Sequence, residues 1–227
     1  MPYVLLIGLV MAFGPAPTSP PDRANLPNHA REGAYAALEE VSSANTVATR
    51  WVVSAENSEA RYRVREQLAG FDLPNDAVGK TNAVAGTVVL ADEGSVVSDQ
   101  SEIRVQLNTL ATDNQRRDGY VRSRTLEVEE YPEAVLVPIR FLGLPGPIPD
   151  TGTATFQLEG SLTLHGVTQT TVWEVTAEFS PESISGLATT AFPFDTFGIA
   201  VPSVARVLSV DDNIRLELQF LLVPEAD

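Results

Sequence analysis

Cysteine is absent from the 227 residues, which excludes a disulfide framework, a thiolate metal site and a cysteine nucleophile, and leaves stability to the packed core. Histidine is nearly absent too: only His29 and His165 occur, so no HxH or HExxH spacing exists on which a zinc site could be built. Cations are scarce, with 15 Lys and Arg against 30 Asp and Glu and a formal net charge of -15. Such a surface repels phosphate backbones and anionic headgroups, so a nucleic-acid partner and attachment through a polybasic patch are both disfavoured. No phosphate-cradling glycine loop occurs, because Gly143 and Gly146 alternate with Pro145, Pro147 and Pro149 as in a rigid loop.

A membrane-spanning apolar run is also missing. Val4 to Phe13, interrupted only by Gly8 and followed by Pro15, Pro17, Pro20 and Pro21, falls short of the roughly 20 residues a helix needs to span a bilayer and has the length of a signal-peptide core. Residues 1–16 are therefore expected to be a signal peptide or an N-terminal anchor, and the protein to be extracytoplasmic, periplasmic or secreted. No Lys or Arg precedes the run and the cleavage site near Ala16 is poor, which keeps the anchor as the alternative. Residues 17–48 read as a flexible linker, with a short helix over His29–Val41 carrying Ala34, Leu38 and Val41 on one face.

From about residue 49 to residue 227 the texture becomes that of a single β domain. In EARYRVRE, Ala60, Tyr62 and Val64 oppose Arg61, Arg63 and Arg65, and in SEIRVQL, Ile103, Val105 and Leu107 oppose Glu102, Arg104 and Gln106. Near the C-terminus Ile214, Leu216, Leu218, Phe220 and Leu222 alternate with Arg215, Glu217 and Gln219. Further strands are expected around Trp51 and over 82–91, 134–142, 153–164, 167–179 and 183–194. His165 and Gly166 alone separate FQLEGSLTL from VTQTTVWEV, which predicts a two-residue hairpin and gives His165 a turn role in place of a catalytic one. One helix is expected over Thr112–Arg124, capped by Thr112 or Asp113, with Asp113 to Arg117 and Asp118 to Arg122 spaced four apart. A turn through Leu126–Glu130 should stop at Tyr131-Pro132, and helix and turn together would plug one end of a barrel.

Candidate chemistry is thin. Asp211, Asp212 and Asn213 lack the ordered ligand series of a calcium loop and read as a tight turn between two strands. Glu129 with Glu130, and Asp92 with Glu93, stand at element ends where solvation is the default. What remains is a set of aromatic strand faces, which in a small barrel either fill the interior or surround an elongated apolar ligand.

Three stretches, TLATDNQRRDGYVRSRTLEVEEYPEAVLVP, SLTLHGVTQ and FDTFGIAVPSVARVLSVDDNIRLELQFLLV, resemble the YceI-like family over about Trp51 to Val223. The resemblance rests on Arg117 and Asp118, Arg122 and Ser123, Tyr131 and Pro132, then Leu162, Leu164, His165 and Gly166. It implies an all-β fold, an extended antiparallel lipocalin-like barrel of about eight strands with a short helix plugging one end. It also implies binding, sequestration or transport of an elongated apolar lipid, of polyisoprenoid or isoprenoid-quinone type, by an exported protein that is no enzyme and requires no cofactor. The segment GFDLPNDAVGKTNAVAG departs from the family pattern and bears on the pocket mouth. The lining is expected to include Tyr62, Val64, Phe141, Phe156, Leu158, Trp173, Phe192 and Phe220. The expected partner is a hydrophobic small molecule. A membrane enters only as the source of ligand or through an uncleaved N-terminal segment, and a homodimer is compatible with the sequence. The alternatives are a ligand-free structural or adhesion module with a solid barrel and, ranked last, a hydrolase using Asp or Glu.

Overall fold

The computed structural model describes residues 48–70, 72–204 and 207–225; the expected leader and all but the last residue of the expected linker lie outside them. Ten strands form one antiparallel sheet: β1 (Thr49–Val53), β2 (Glu59–Leu68), β3 (Asn75–Thr81), β4 (Val84–Leu90), β5 (Glu102–Gln106), β6 (Glu133–Leu142), β7 (Gly152–Leu164), β8 (Val167–Ser180), β9 (Ser183–Phe192) and β10 (Val207–Pro224). Their order is β1-β4-β5-β6-β7-β8-β9-β10-β2-β3, and β1 also pairs with β10. That last pairing, Trp51 with Pro224 through Val53 with Leu222, closes eight strands into a barrel and leaves β2 and β3 as an added ribbon.

Alternation produces the inside and the outside. Along β8, Thr171, Trp173, Val175, Ala177 and Phe179 are buried while Val172, Glu174, Thr176 and Glu178 are exposed, the two-residue period of a pleated strand with one face in a core. β7 answers with Phe156, Leu158, Leu162 and Leu164. The β7–β8 hairpin turns on His165 (φ 51) and Gly166 (φ 73), the doubly positive conformation that a two-residue turn requires. A side chain at 166 would also collide with Tyr131, whose Cε1 lies 2.6 Å from where its Cβ would stand.

The first two hairpin arms are broken at one level. A short helical turn, Ala55–Asn57, separates β1 from β2, and Asn82 and Ala83 separate β3 from β4. Above the break β1 pairs with β4; below it β2 pairs with β3 and takes over β10, from Gln219 opposite Glu59 to Val207 opposite Leu68. β5 is only five residues long. Beyond it β3 keeps a single bridge to its neighbour, Lys80 with Ala111, and the chain from Leu107 to Tyr131 covers the gap.

That segment contains α1 (Gln115–Tyr120), shorter than the expected 112–124 helix and continued by a wider π turn over Val121–Thr125. Its cap is Asn114, whose Oδ1 accepts from the N–H of Arg116 at 3.0 Å and of Arg117 at 3.4 Å. Thr112 and Asp113 are drawn elsewhere. Thr112 donates its N–H and its hydroxyl to Asp118 at 2.8 and 2.7 Å, and Asp113 pairs with Arg117 at 2.7 Å. The expected Asp118–Arg122 pair does not form: Asp118 is buried on Thr112, and Arg122 donates to the Leu110 carbonyl at 2.9 Å. Residues 211–213 form no turn either. They run inside β10, where the register shifts between Val210 and Ile214, and Asp212 accepts the Phe194 N–H at 2.9 Å.

Candidate functional site

A cavity of about 630 Å³ opens inside the barrel at the α1 end. Val64, Ile103, Leu136, Leu162, Ile214 and Leu216 give it strand walls on several sides, Phe194 and Ile199 close it from the segment before β10, and Val121 and Leu126 from the helical plug. Apolar surface predominates because each strand turns its alternate apolar face inward. The exposed members of the lining are Ala69, Asn114 and Arg116, which place the mouth between the β2–β3 turn and the start of α1.

Of the side chains singled out from sequence, Tyr62, Val64 and Trp173 lie on this wall. Trp173 keeps its ring for the cavity because its polar edge is satisfied, Nε1 donating to Thr171 Oγ1 at 2.9 Å. Phe156, Leu158 and Phe192 belong to the buried core, Phe141 and Phe220 pack against it half-buried, and none of the five is part of the lining. Phe141 meets Phe156 edge-on with ring centroids 5.2 Å apart, Phe156 lies 6.4 Å from Phe179, and Phe192 lies 4.7 Å from Phe197. The set is thereby divided: Tyr62, Val64 and Trp173 stand around the void, and the other five pack in or against the core.

The polar part of the wall was not anticipated. Glu66 is 7% exposed and pairs with Arg117 of α1 at 2.7 Å. The signal was present in EARYRVRE: continuing the alternation of Ala60, Tyr62 and Val64 puts an acid on an apolar face, where a buried carboxylate demands a partner. Arg117 also holds Asp113, so one guanidinium joins the plug to the barrel wall and to its own first turn. Tyr62 folds over β3 at Gly79, where any Cβ would stand 2.2 Å from its ring. Its hydroxyl is buried and has no hydrogen-bond partner among the described residues. Burial pushes its pKa up to about 12, with Asp118, Glu66 and Asp113 adding to the rise and Arg117 opposing it, so the phenol stays neutral.

Other family-like positions brace the plug. His165 Nε2 lies 2.9 Å from Glu127 Oε2, and Tyr131 meets the imidazole edge-on at 4.8 Å. Ser123 donates to the Gly119 carbonyl at 2.7 Å. Outside the barrel, a second depression beside β3 is lined by charged side chains that pair with one another, Glu59 with Arg61 and Lys80. Among the described residues no group of three His, Asp or Glu is placed to hold a metal ion.

No curated protein matches the sequence. Among solved structures, a polyisoprenoid binding domain from Saccharophagus degradans, implicated in plant cell wall breakdown, superposes with a TM-score of 0.60 at 12% identity, over 77% of this chain and 98% of that one. Burkholderia cenocepacia BcnA gives 0.55 at 14% identity, over 74% and 98%. The Campylobacter jejuni YCEI protein gives 0.52 at 13% identity, over 71% and 91%. These likenesses establish the fold, and the sequence itself matches the YceI-like domain over residues 51–222. The closed barrel, its helical plug and that match together place the chain in the YceI-like family.

Proposed function

We propose that the protein is a non-enzymatic carrier that holds an elongated apolar lipid of isoprenoid type, a polyprenol derivative or a quinone tail, in the helix-end cavity, and that it does so in an extracytoplasmic compartment. The observation that carries this reading is the cavity itself: about 630 Å³ of apolar space enclosed by the sheet and roofed by α1. That volume falls in the range of about 300–1,000 Å³ typical of small-molecule sites. It suits a short isoprenoid, or the terminal stretch of a long one whose remainder stays outside. The polyisoprenoid binding of the Saccharophagus degradans domain supports the same class of ligand on the same fold.

Affinity would come from apolar burial, at about 25 cal/mol for each Å² removed from water, less the cost of ordering a flexible chain. Catalysis is disfavoured by the state of the polar wall, since Glu66 and Arg117 neutralise each other and the Trp173 N–H is already bonded. A general acid or base must reach a substrate proton, and neither of these groups is free to do so. The test is to extract the purified full chain with organic solvent and identify co-purifying lipid by mass spectrometry. An isoprenoid in the extract supports the proposal. An empty extract, together with unchanged tryptophan fluorescence when isoprenoids are added, contradicts it.

A further inference from the structure

The mouth of the cavity differs from the rest of the surface in two ways that point to one partner. First, Leu73 and Leu208 are 77% and 68% exposed, the two most exposed large apolar side chains among the described residues, and Val201 is 42% exposed, much as Val172 and Leu187 are on the outer faces of β8 and β9. Leu73 lies in the turn between β2 and β3. Leu208 adjoins Val207, which pairs with Leu68 at the end of β2. Val201 precedes Pro202, and Leu68, Pro202, Val204 and Val207 all line the cavity. The three exposed side chains thus continue the apolar interior outward over its rim.

Second, arginines gather at this end of an otherwise acidic molecule. The chain carries a formal charge of -15, yet the described charged residues of the segments that frame the mouth (69–74, 114–126 and 199–210) are Arg116, Arg117, Arg122 and Arg124 with Asp72 and Asp118. Asp118 is buried on Thr112. Of the flanking acids, Asp76 and Asp113 are paired with Arg65 at 3.2 Å and Arg117 at 2.7 Å, Glu127 meets His165 at 2.9 Å and Asp212 accepts the Phe194 N–H at 2.9 Å, while Asp72 and Asp211 are exposed without an ion pair among the described residues. Arg116 and Arg124 are exposed and have no carboxylate within ion-pair distance among the described residues.

We propose that this rim docks on a lipid bilayer, with Leu73, Val201 and Leu208 entering the headgroup boundary and Arg116 and Arg124 facing anionic headgroups, so that an apolar ligand passes between membrane and cavity without crossing water. The proposal rests on the lipid-carrier reading for its purpose but on the rim for its geometry. Apolar side chains ringed by Arg are the composition that seats in a membrane interface, and a local positive patch acts within about a Debye length even on an acidic protein. The overall negative charge keeps the contact transient, as delivery requires.

The chain has no cysteine, so Leu73→Cys and Leu208→Cys can each be labelled uniquely with an environment-sensitive fluorophore, and Glu178→Cys, exposed on β8 at the opposite end, serves as reference. With vesicles of phosphatidylethanolamine and phosphatidylglycerol, the labels at 73 and 208 should shift to the blue and brighten, less so as salt is raised, while the label at 178 stays unchanged. Silence at 73 and 208, or an equal response at 178, overturns the proposal. The Leu73→Ser/Leu208→Ser variant should slow vesicle-to-vesicle transfer of a fluorescent isoprenoid by about tenfold. It should also leave the Kd for the same isoprenoid in detergent within about twofold; unchanged transfer likewise overturns the proposal. Responsive labels on a protein that binds no isoprenoid would sink the carrier reading alone, and silent labels on a protein that binds it would sink the docking alone.

Discussion

The two ends of the barrel are built from the same strands and differ in what fills them. At the end formed by β1, the start of β7 and the β8–β9 turn, Val53, Phe156, Phe179, Ile184 and Leu222 are all buried, with Phe141 set edge-on against Phe156. At the other end the same β7 and β8 contribute Leu162, Leu164 and Trp173 to a void. The cause is topological. Where β1 and β4 stand in the wall, eight strands enclose a bore that side chains can fill. Where β5 stops and β3 parts from it, the wall is completed by a helical segment, and the sheet is held apart by the β2–β3 ribbon. One end is a core and the other a container.

Truncation should expose this difference most strongly. Phe156→Ala is expected to cost about 3–5 kcal/mol, because it removes a large buried ring among neighbours fixed by the sheet. Leu216→Ala, whose side chain already borders empty space, should cost less than about 2 kcal/mol, since part of its contact is missing to begin with. Urea unfolding of both variants measures the gap, and equal costs would break the comparison. In the opposite direction, Val64→Phe adds volume where room exists. It should weaken isoprenoid binding by about tenfold or more and change stability by no more than about 1 kcal/mol.

Tyr62→Phe sharpens the comparison on a smaller scale. The hydroxyl it removes is buried without a partner, so the variant should be more stable by about 1 kcal/mol, a rise of roughly 2–4 °C in Tm for a chain of this size. In a spectrophotometric titration the variant should also lose the component ionising at about 12. The smallest effect belongs to the outer wall. For Glu59, burial pushes the carboxyl up, but hydrogen bonds and charge from Arg61 and Lys80 outweigh it and hold the pKa below its ordinary value. A depressed carboxylate contributes stability above its unfolded pKa and loses it as pH falls through the folded one. Glu59→Gln should therefore lower stability slightly at neutral pH, leave it unchanged well below the folded pKa, and so flatten the acid limb of the profile.

Much of this architecture was legible because period-two alternation is a local property. The strands around Trp51, Ile103, Phe156, Trp173 and Ile214 stand where their alternation puts them, and the His165-Gly166 turn follows from two residues alone. What escaped depends on partners distant in sequence. Asp211 to Asn213 look like a turn, yet β10 carries them through a bulge because it must follow β9 and β2 at once. Asn114 caps α1 because Asp118 takes Thr112 and Arg117 takes Asp113. Whether a phenylalanine packs or borders a cavity is set by the level at which the first ribbon breaks, and no single strand encodes that level. Glu66 was the exception, an acid out of phase with its strand and visible in the alternation of β2.

The chain's two tryptophans report on the two ends separately: Trp173 borders the cavity, and Trp51 stands in β1 beside β4 and β10. The most direct test is quenching by a brominated isoprenoid in the Trp51→Phe and Trp173→Phe variants, each with one remaining indole. A lipid seated in the helix-end cavity should quench Trp173 on titration and leave Trp51 bright. Equal quenching of both, or quenching of Trp51 alone, would contradict a hollow end set against a solid one.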